Sequence, residues 1–415
     1  MAECDCPDGC GLRIEVYQGP RIDQEIYLDH AATTPVDPAV VQAMLPFLSE
    51  RFGNPSSVHG FGRATRAAVD AARDLVARCL HARPEEIYFT SGGTESNNTV
   101  LLGVTEALRE HGCHVITSAI EHHAILDTCD YLQSRGVRTT VLPVDEYGLI
   151  DPEDVRRAIT NETVLVSIMH ANNEIGTIQP IAEIGRVCRE AGVLFHTDAV
   201  QTAGSLALDV DALNVDFLSL SGHKFYGPKG VGALFARRDV PWRPLLHGGG
   251  QERHRRAGTE NVPGIVGLAT ALGLAAEKMT GEAERLIRLR DRLIDGITAR
   301  VDQCRLNGHP SQRLPNNVSL SVAGVEGESG LLILDMMGIA AAGGAACSSG
   351  SLEPSHVIQA IRVPPEAARG SIRFSLGRGT TADQIDFVVD AFAEVVAGLR
   401  SLVPNYAETL RALAS

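Results

Sequence analysis

The sequence predicts an α/β protein, with a large domain on a mostly parallel, seven-stranded sheet followed by a smaller α+β domain. Three observations lead there. From about residue 38 to 275, short apolar runs alternate with stretches of helical periodicity, the pattern of a parallel sheet covered by helices on both faces. Beyond 275 this alternation stops. Finally, 44% hydrophobic residues over 415 positions can bury a sizeable core, which excludes intrinsic disorder and a disulfide miniprotein.

Residues 1–24 read as an extension carrying Cys4, Cys6 and Cys10. Glu3, Asp5 and Asp8, with no basic start and no apolar run, exclude a secretory signal. The large domain spans 38–275, and the small domain takes 25–37 and 276–415. A helix over 62–80 sets Ala64, Ala67, Ala71, Leu75 and Cys79 on one face, with Arg66, Asp70, Arg73 and Asp74 left for solvent. Strand-like runs follow at 86–90, 114–117, 138–142, 164–169, 193–197, 217–220 and 232–236, with helical stretches such as 97–110, 151–159 and 181–190 between them. The apolar run 262–276, broken by Pro263, falls short of the roughly 18–20 residues that span a bilayer. Then come a charged helix at 277–301, a strand at 317–322, a Gly/Ala loop at 340–350, a strand at 371–376 and an amphipathic helix at 382–399.

Lys and Arg number 37 against 51 Asp and Glu, a net charge of −14, which repels phosphate backbones. The densest basic cluster, Arg253 to Arg256, is short, so neither direct nucleic-acid nor membrane binding is expected. Nine scattered cysteines fit reduced thiols in a soluble, cytoplasmic protein.

Ligands of such sheets bind beyond the carboxyl ends of the strands, so polar residues there carry the chemistry. Thr90-Ser91-Gly92-Gly93-Thr94-Glu95 joins a strand to a helix; a phosphate cradle and an ordinary Thr-capped helix start are both open for it. Asp198 ends a strand, as a buried acid or a helix cap. Ser221, His223 and Lys224 end another, where a lysine suits Schiff-base chemistry or a structural pairing, while Lys229 reads as a solvated turn residue. His122 and His123 follow a third strand, as an acid/base or ring lid, or as surface histidines. Cradle, acid and lysine together are the parts of a pyridoxal 5'-phosphate site. Cys79, Cys129 and Cys188 read as inert core thiols, whereas Cys347 lies in a loop of Gly, Ala and Ser that suits a thiol required to travel.

Several long segments, in order from about residue 26 to 400, closely resemble the NifS/IscS-type cysteine desulfurases: 27–35 (YLDHAATTP), 90–97, 169–176 (MHANNEIG), 196–201, 221–230 and 346–356 (ACSSGSLEPSH). The resemblance implies a fold-type I pyridoxal-phosphate homodimer that takes sulfur from L-cysteine, releases L-alanine and leaves a persulfide on Cys347, for a sulfur-acceptor or iron–sulfur scaffold protein. It further implies that Lys224 is the Schiff-base lysine and proton shuttle and that Asp198 is the ring-nitrogen partner. Gln201 and Asn173 would be donors on the ring-hydroxyl side, and His122 the stacked ring and acid/base. Gly93, Thr94, Ser221 and His223 would form the phosphate site, with Thr259 reaching it from the partner subunit. Arg373, with Asn173, would bind the substrate carboxylate, and Cys347 would be a transient iron–sulfur ligand.

Two departures stand out. The residues before Cys347 read Gly-Gly-Ala-Ala rather than the family's commoner Gly-Ser-Ala, and the family does not generally carry Cys4-Asp5-Cys6-Pro7-Asp8-Gly9-Cys10, whose thiols are candidate metal ligands. The competing readings are an aminotransferase or selenocysteine lyase of the same fold, and a metal or iron–sulfur carrier built on the N-terminal cysteines. A nucleophilic Cys347 separates the desulfurase from a transaminase, which has no use for it.

Overall fold

The computed structural model describes residues 25–343 and 354–402, so Cys4, Cys6, Cys10 and Cys347 lie outside the described residues. The strands in chain order are β1 (Ile26–Tyr27), β2 (Ile87–Thr90), β3 (His114–Ser118), β4 (Arg138–Leu142), β5 (Thr163–Ser167), β6 (Leu194–Asp198), β7 (Phe217–Ser221), β8 (Gly232–Ala236), β9 (Cys304–Leu306), β10 (Asn317–Val322), β11 (Ile339–Ala340), β12 (Ala342–Gly343) and β13 (Ser371–Ser375). Seven of them form the main sheet in the order β2-β8-β7-β6-β5-β3-β4. Strands β3 to β7 run parallel, and β8 lies antiparallel to both β2 and β7. All seven apolar runs become strands because helices cover both faces and few positions need a polar residue. At Gly232 a Cβ would stand 2.6 Å from the Cα of Gly92, so β8 admits no side chain there beside the loop that opens the site.

A second sheet, β12-β13-β10-β9, is antiparallel, and β1 pairs with β11. The main core wraps the large sheet and also takes in Val357, Ile358 and Ile361; another packs Ile26 and Leu28 with Leu293, Val318, Phe374 and Phe392. One helix, Val262–Thr298, serves both, where the sequence suggested a broken run and a separate helix. Pro263 falls in its first turn and costs no hydrogen bond, so it starts the helix instead of breaking it. Although long and apolar enough to cross a membrane by composition, the helix buries Ile265, Leu268 and Leu272 in the main core and Leu286, Leu293 and Ile297 in the second.

Helix Gly60–Cys79 corrects the expected face. It buries Gly62, Thr65, Val69, Ala72, Arg73, Val76 and Ala77, while Ala64, Ala67 and Ala71 face solvent. Alanine methyls are too small to decide orientation; the larger Val69 and Val76 do, together with Arg73. The Arg73 guanidinium makes a two-pronged pair with Glu252 (2.8 and 2.6 Å), donates to the Ile87 carbonyl at 2.6 Å and stands over the Phe89 ring. Glu252 also accepts the Phe89 N–H at 2.9 Å, so one buried pair locks helix, strand and loop together. The basic cluster that follows is likewise structural: Arg253 lies over Tyr88, Arg255 over Trp242, and Arg256 pairs with Glu95.

Removing Arg73 strands a buried carboxylate. Arg73→Leu is expected to cost about 3–5 kcal/mol of unfolding free energy, read by urea denaturation of the purified variant; a loss below about 1 kcal/mol would show that the pair is replaceable.

Candidate active site

A cavity of about 300 Å³ opens beyond the carboxyl ends of the parallel strands. Gly93, Thr94, His122, Asn173, Asp198, Gln201, Ser221, His223 and Lys224 line it from strand ends of the main sheet or the segments that follow them, and Arg373 from the middle of β13 in the small sheet. Thr259 is exposed and does not line this cavity.

Helix Gly93–Ala107 points its N-terminus at the cavity, and Ser221 lies beside it: a Cβ on Gly92 would sit 3.7 Å from the Ser221 hydroxyl. Free N–H groups and small side chains make that end an anion seat. Asp198 is 7% exposed; its Oδ2 accepts from Asn97 Nδ2 at 2.6 Å and its Oδ1 from the Val200 N–H at 2.9 Å. Asn97 lies one turn into that helix, and nothing in the sequence around it points to this partnership. Its buried Oδ1 has no hydrogen-bond partner among the described residues.

Lys224 Nζ donates to the carbonyls of Ala31 (2.6 Å) and Ala32 (2.8 Å). These belong to a strap, residues 29–34, that sequence reading assigned to the resemblance alone. Gln201 Nε2 donates to Ala31 O as well, and His223 Nδ1 meets the Thr33 hydroxyl. Burial and the neighbouring Lys224 and Lys229 charges hold His223 down at about 4, so the ring is neutral. Across the strap, Arg373 is 3% exposed. It donates to Asp29 Oδ1 at 2.7 Å and to the Asn173 carbonyl at 3.1 Å, and its buried Nε has no partner among the described residues.

His122 caps helix His123–Ser134: its Nδ1 accepts the Ala124 N–H at 3.0 Å, which leaves Nε2 to carry the proton. Burial holds its imidazole below the ordinary value, against the pull of the Asp198 carboxylate. Before it lies Glu121, 1% exposed, which sequence reading passed over because an acid beside two histidines looks like surface. Its carboxylate takes the Met169 N–H at 3.0 and 3.1 Å and the Ser118 hydroxyl at 2.6 Å, tying β3 to the end of β5.

A strand-end acid, a strand-end lysine and a helix N-terminus on one cavity define a pyridoxal-phosphate enzyme, and the chain belongs to the aminotransferase class-V family, which matches residues 26–388. Within that class it is a cysteine desulfurase, dependent on pyridoxal phosphate. It is 53% identical over 381 residues to cysteine desulfurase IscS of Dictyoglomus turgidum, covering 92% of this chain and 97% of that protein. The solved structure of a NifS-like protein superposes with a TM-score of 0.85 at 38% identity, over 90% of this chain and all of that one. SspA in complex with cysteine does so with a TM-score of 0.76 at 38% identity, over 85% and 99%.

The residues present fit the cofactor. Buried Asp198 is aimed into the cavity, and at Gly93 a Cβ would press to 2.7 Å of Val200, leaving bare backbone where the phosphate would lie. Among the described residues no cluster of three or more His, Cys, Asp or Glu offers a metal site. The expected cysteine ligands lie outside those residues.

Glu121 gives the site a pH signature. Burial pushes its carboxyl from 4.5 up to about 8, against the hydrogen bonds from Ser118 and Met169. The folded protein therefore holds a proton that the unfolded chain releases, and stability falls as pH rises from about 4.5 to about 8. Glu121→Gln is expected to remove that slope. Its unfolding free energy, measured by denaturant titration across this range, should gain on the wild type as pH rises and run parallel above it; a constant offset would show that this carboxyl does not carry the linkage.

Proposed function

We propose that this cavity binds L-cysteine and that Cys347 takes its sulfur as a persulfide, leaving L-alanine, with the sulfur passed on to an acceptor for iron–sulfur cluster assembly. The observation that carries the reading is the convergence of Lys224, Asp198, His122 and Arg373 on one cavity. Relatives named IscS at about half identity support the destination.

Asp198, Asn97, Gly93, Thr94, Ser221 and His223 would hold pyridoxal phosphate, which when bound accepts the electron pair left as Cα loses its proton. Asp198 keeps the proton on the ring nitrogen, a task for a buried anion whose own donors, Asn97 and Val200, hold it in place. Lys224 moves the proton at Cα, from a position fixed by the Ala31 and Ala32 carbonyls. The substrate carboxylate meets Arg373, whose buried Nε is the donor left over after Asp29 and Asn173 are served. His122, which lines the cavity, serves as acid/base for the proton of the substrate thiol. The Cys347 thiolate then forms the S–S bond as the Cβ–S bond breaks and its pair returns to Cβ; the proton that left the substrate thiol goes to Cβ, and Lys224 returns the one at Cα, which completes alanine.

The working unit we propose is a cytoplasmic homodimer without direct nucleic-acid or membrane partners. Support comes from exposed apolar residues, Leu48, Phe52, Val58 and Phe61, near the start of helix Gly60–Cys79, and from exposed Thr259, free to reach a partner's phosphate site.

In alanine released from L-cysteine under a reducing thiol, Cys347→Ala and Lys224→Ala are each expected to fall by at least about 10²-fold. Undiminished alanine from Cys347→Ala would keep the cofactor chemistry and remove Cys347 from it.

A further inference from the structure

Glu174 is a buried acid that the chemistry above leaves unused. It follows Asn173 in a tight turn, where Asn172 Oδ1 accepts the N–H groups of Glu174 (2.8 Å) and Ile175 (2.9 Å), so its backbone is fixed. It is 8% exposed, and its Oε2 accepts the Ser355 hydroxyl at 2.6 Å. Ser355 is in turn the cap of helix His356–Ala360, taking the Val357 N–H at 3.1 Å. The next residue, His356, is bonded through Nε2 to the Glu121 carbonyl at 2.9 Å, beside His122, and sets its ring edge-on to His123.

Just downstream of the segment that carries Cys347, the chain is therefore tied to Glu174, which lines the cavity, and to the Glu121 carbonyl, next to the cavity-lining His122. The upstream side is tied to the same place, since Ala342 of β12 pairs directly with Arg373 of β13. Arg373 also donates to the carbonyl of Asn173, the neighbour of Glu174. Both flanks of the Cys347 segment thus rest on the surroundings of one guanidinium, the one left with an unpartnered buried Nε for the substrate carboxylate. A carboxylate is a costly way to fix the start of a five-residue helix that already has a serine cap. Its cost is explained if the fixed point matters to the reaction.

We infer that Glu174, acting through Ser355, is a positioning residue for the sulfur-accepting step: it fixes Ser355, the point at which the chain that carries Cys347 is tied to the cavity wall. The inference rests on the proposed role of Cys347. Loss of the anchor slows S–S bond formation and leaves the proton chemistry at Cα alone, because Lys224 and Asp198 are held by other partners.

The test uses the cofactor-loaded enzyme and the variant Ser355→Ala, whose side chain does not line the cavity. Two rates are read: persulfide appearing on Cys347 in a single turnover, by quenching and mass spectrometry, and exchange of the Cα hydrogen of L-alanine with deuterated water, which does not use the thiol. The first is expected to fall about tenfold, the worth of a lost charge-assisted hydrogen bond; the second stays at the wild-type rate; and Ser355→Thr, which keeps the hydroxyl, recovers the first. Equal loss of both rates, loss of neither, or failure of Ser355→Thr to recover would overturn the inference. A wild type that makes alanine with no persulfide on Cys347 would instead sink the assignment of that cysteine, and this inference with it.

Discussion

The two backbone carbonyls that hold Lys224 are the constraint on which the rest of the site depends. Ala31 and Ala32 lie in a strap that is bonded on one side to the main sheet and on the other to the small one. Thr34 N–H donates to His223 O at 3.0 Å, while Ala31 N–H donates to Ser375 Oγ at 2.8 Å and His30 N–H to Ser375 O at 3.2 Å. Backbone comes that close because the strap carries methyl groups at these two positions and nothing larger. Ile26 and Leu28, just before it, are fully buried in the second core, so the packing of one core fixes an amine at the edge of the other. Lys224 and Arg373, which the proposed reaction brings to one substrate, are thus set by a single stretch of chain.

Beneath the cavity the floor is made rigid without charge. His196 bridges Ser167 of β5 (2.8 Å) and Ser219 of β7 (2.9 Å), and burial holds its ring down at about 3, so it serves as a neutral linker between parallel strands. Asp198, two residues along, inherits that rigidity. The role proposed for it, holding a proton on the cofactor ring, would require that, since misplacement by about 1 Å costs orders of magnitude in rate.

What could be read from the sequence divides along physical lines. Strands buried on both faces announce themselves as unbroken apolar runs, and all seven were legible. Residues at strand ends with unusual chemistry, Asp198 and Lys224 above all, were legible because polar groups there need a reason. Partnerships made at long range were not. Nothing near Arg73 in the chain shows that Glu252 awaits it, so a buried arginine was assigned to solvent, and of the face expected to pack inward only Leu75 and Cys79 meet the core. Asn97, Glu121 and Glu174 were missed for the same reason: a polar residue in a polar-looking stretch gives no local sign that tertiary packing will bury it. The long helix was missed because Pro263 and internal glycines look like breaks unless their positions relative to the helix start are known.

Charge placement completes the logic of the cavity. Arg373 is nearly fully buried, a state costly for a lone cation, and Asp29 offsets it at 2.7 Å. Were both sides of the guanidinium satisfied by protein, a substrate carboxylate would have nothing to bind; were neither, the arginine would be too costly to bury. Asp29 and the Asn173 carbonyl take two nitrogens and leave the third. In the proposed reaction the carboxylate of the incoming amino acid would complete a half-satisfied group, which would make binding favourable and directional at once. Because Asp29 opens the strap that holds Lys224, one stretch of chain fixes the Arg373 guanidinium relative to the Lys224 amine, the two groups that the proposed reaction sets at the carboxylate and at Cα.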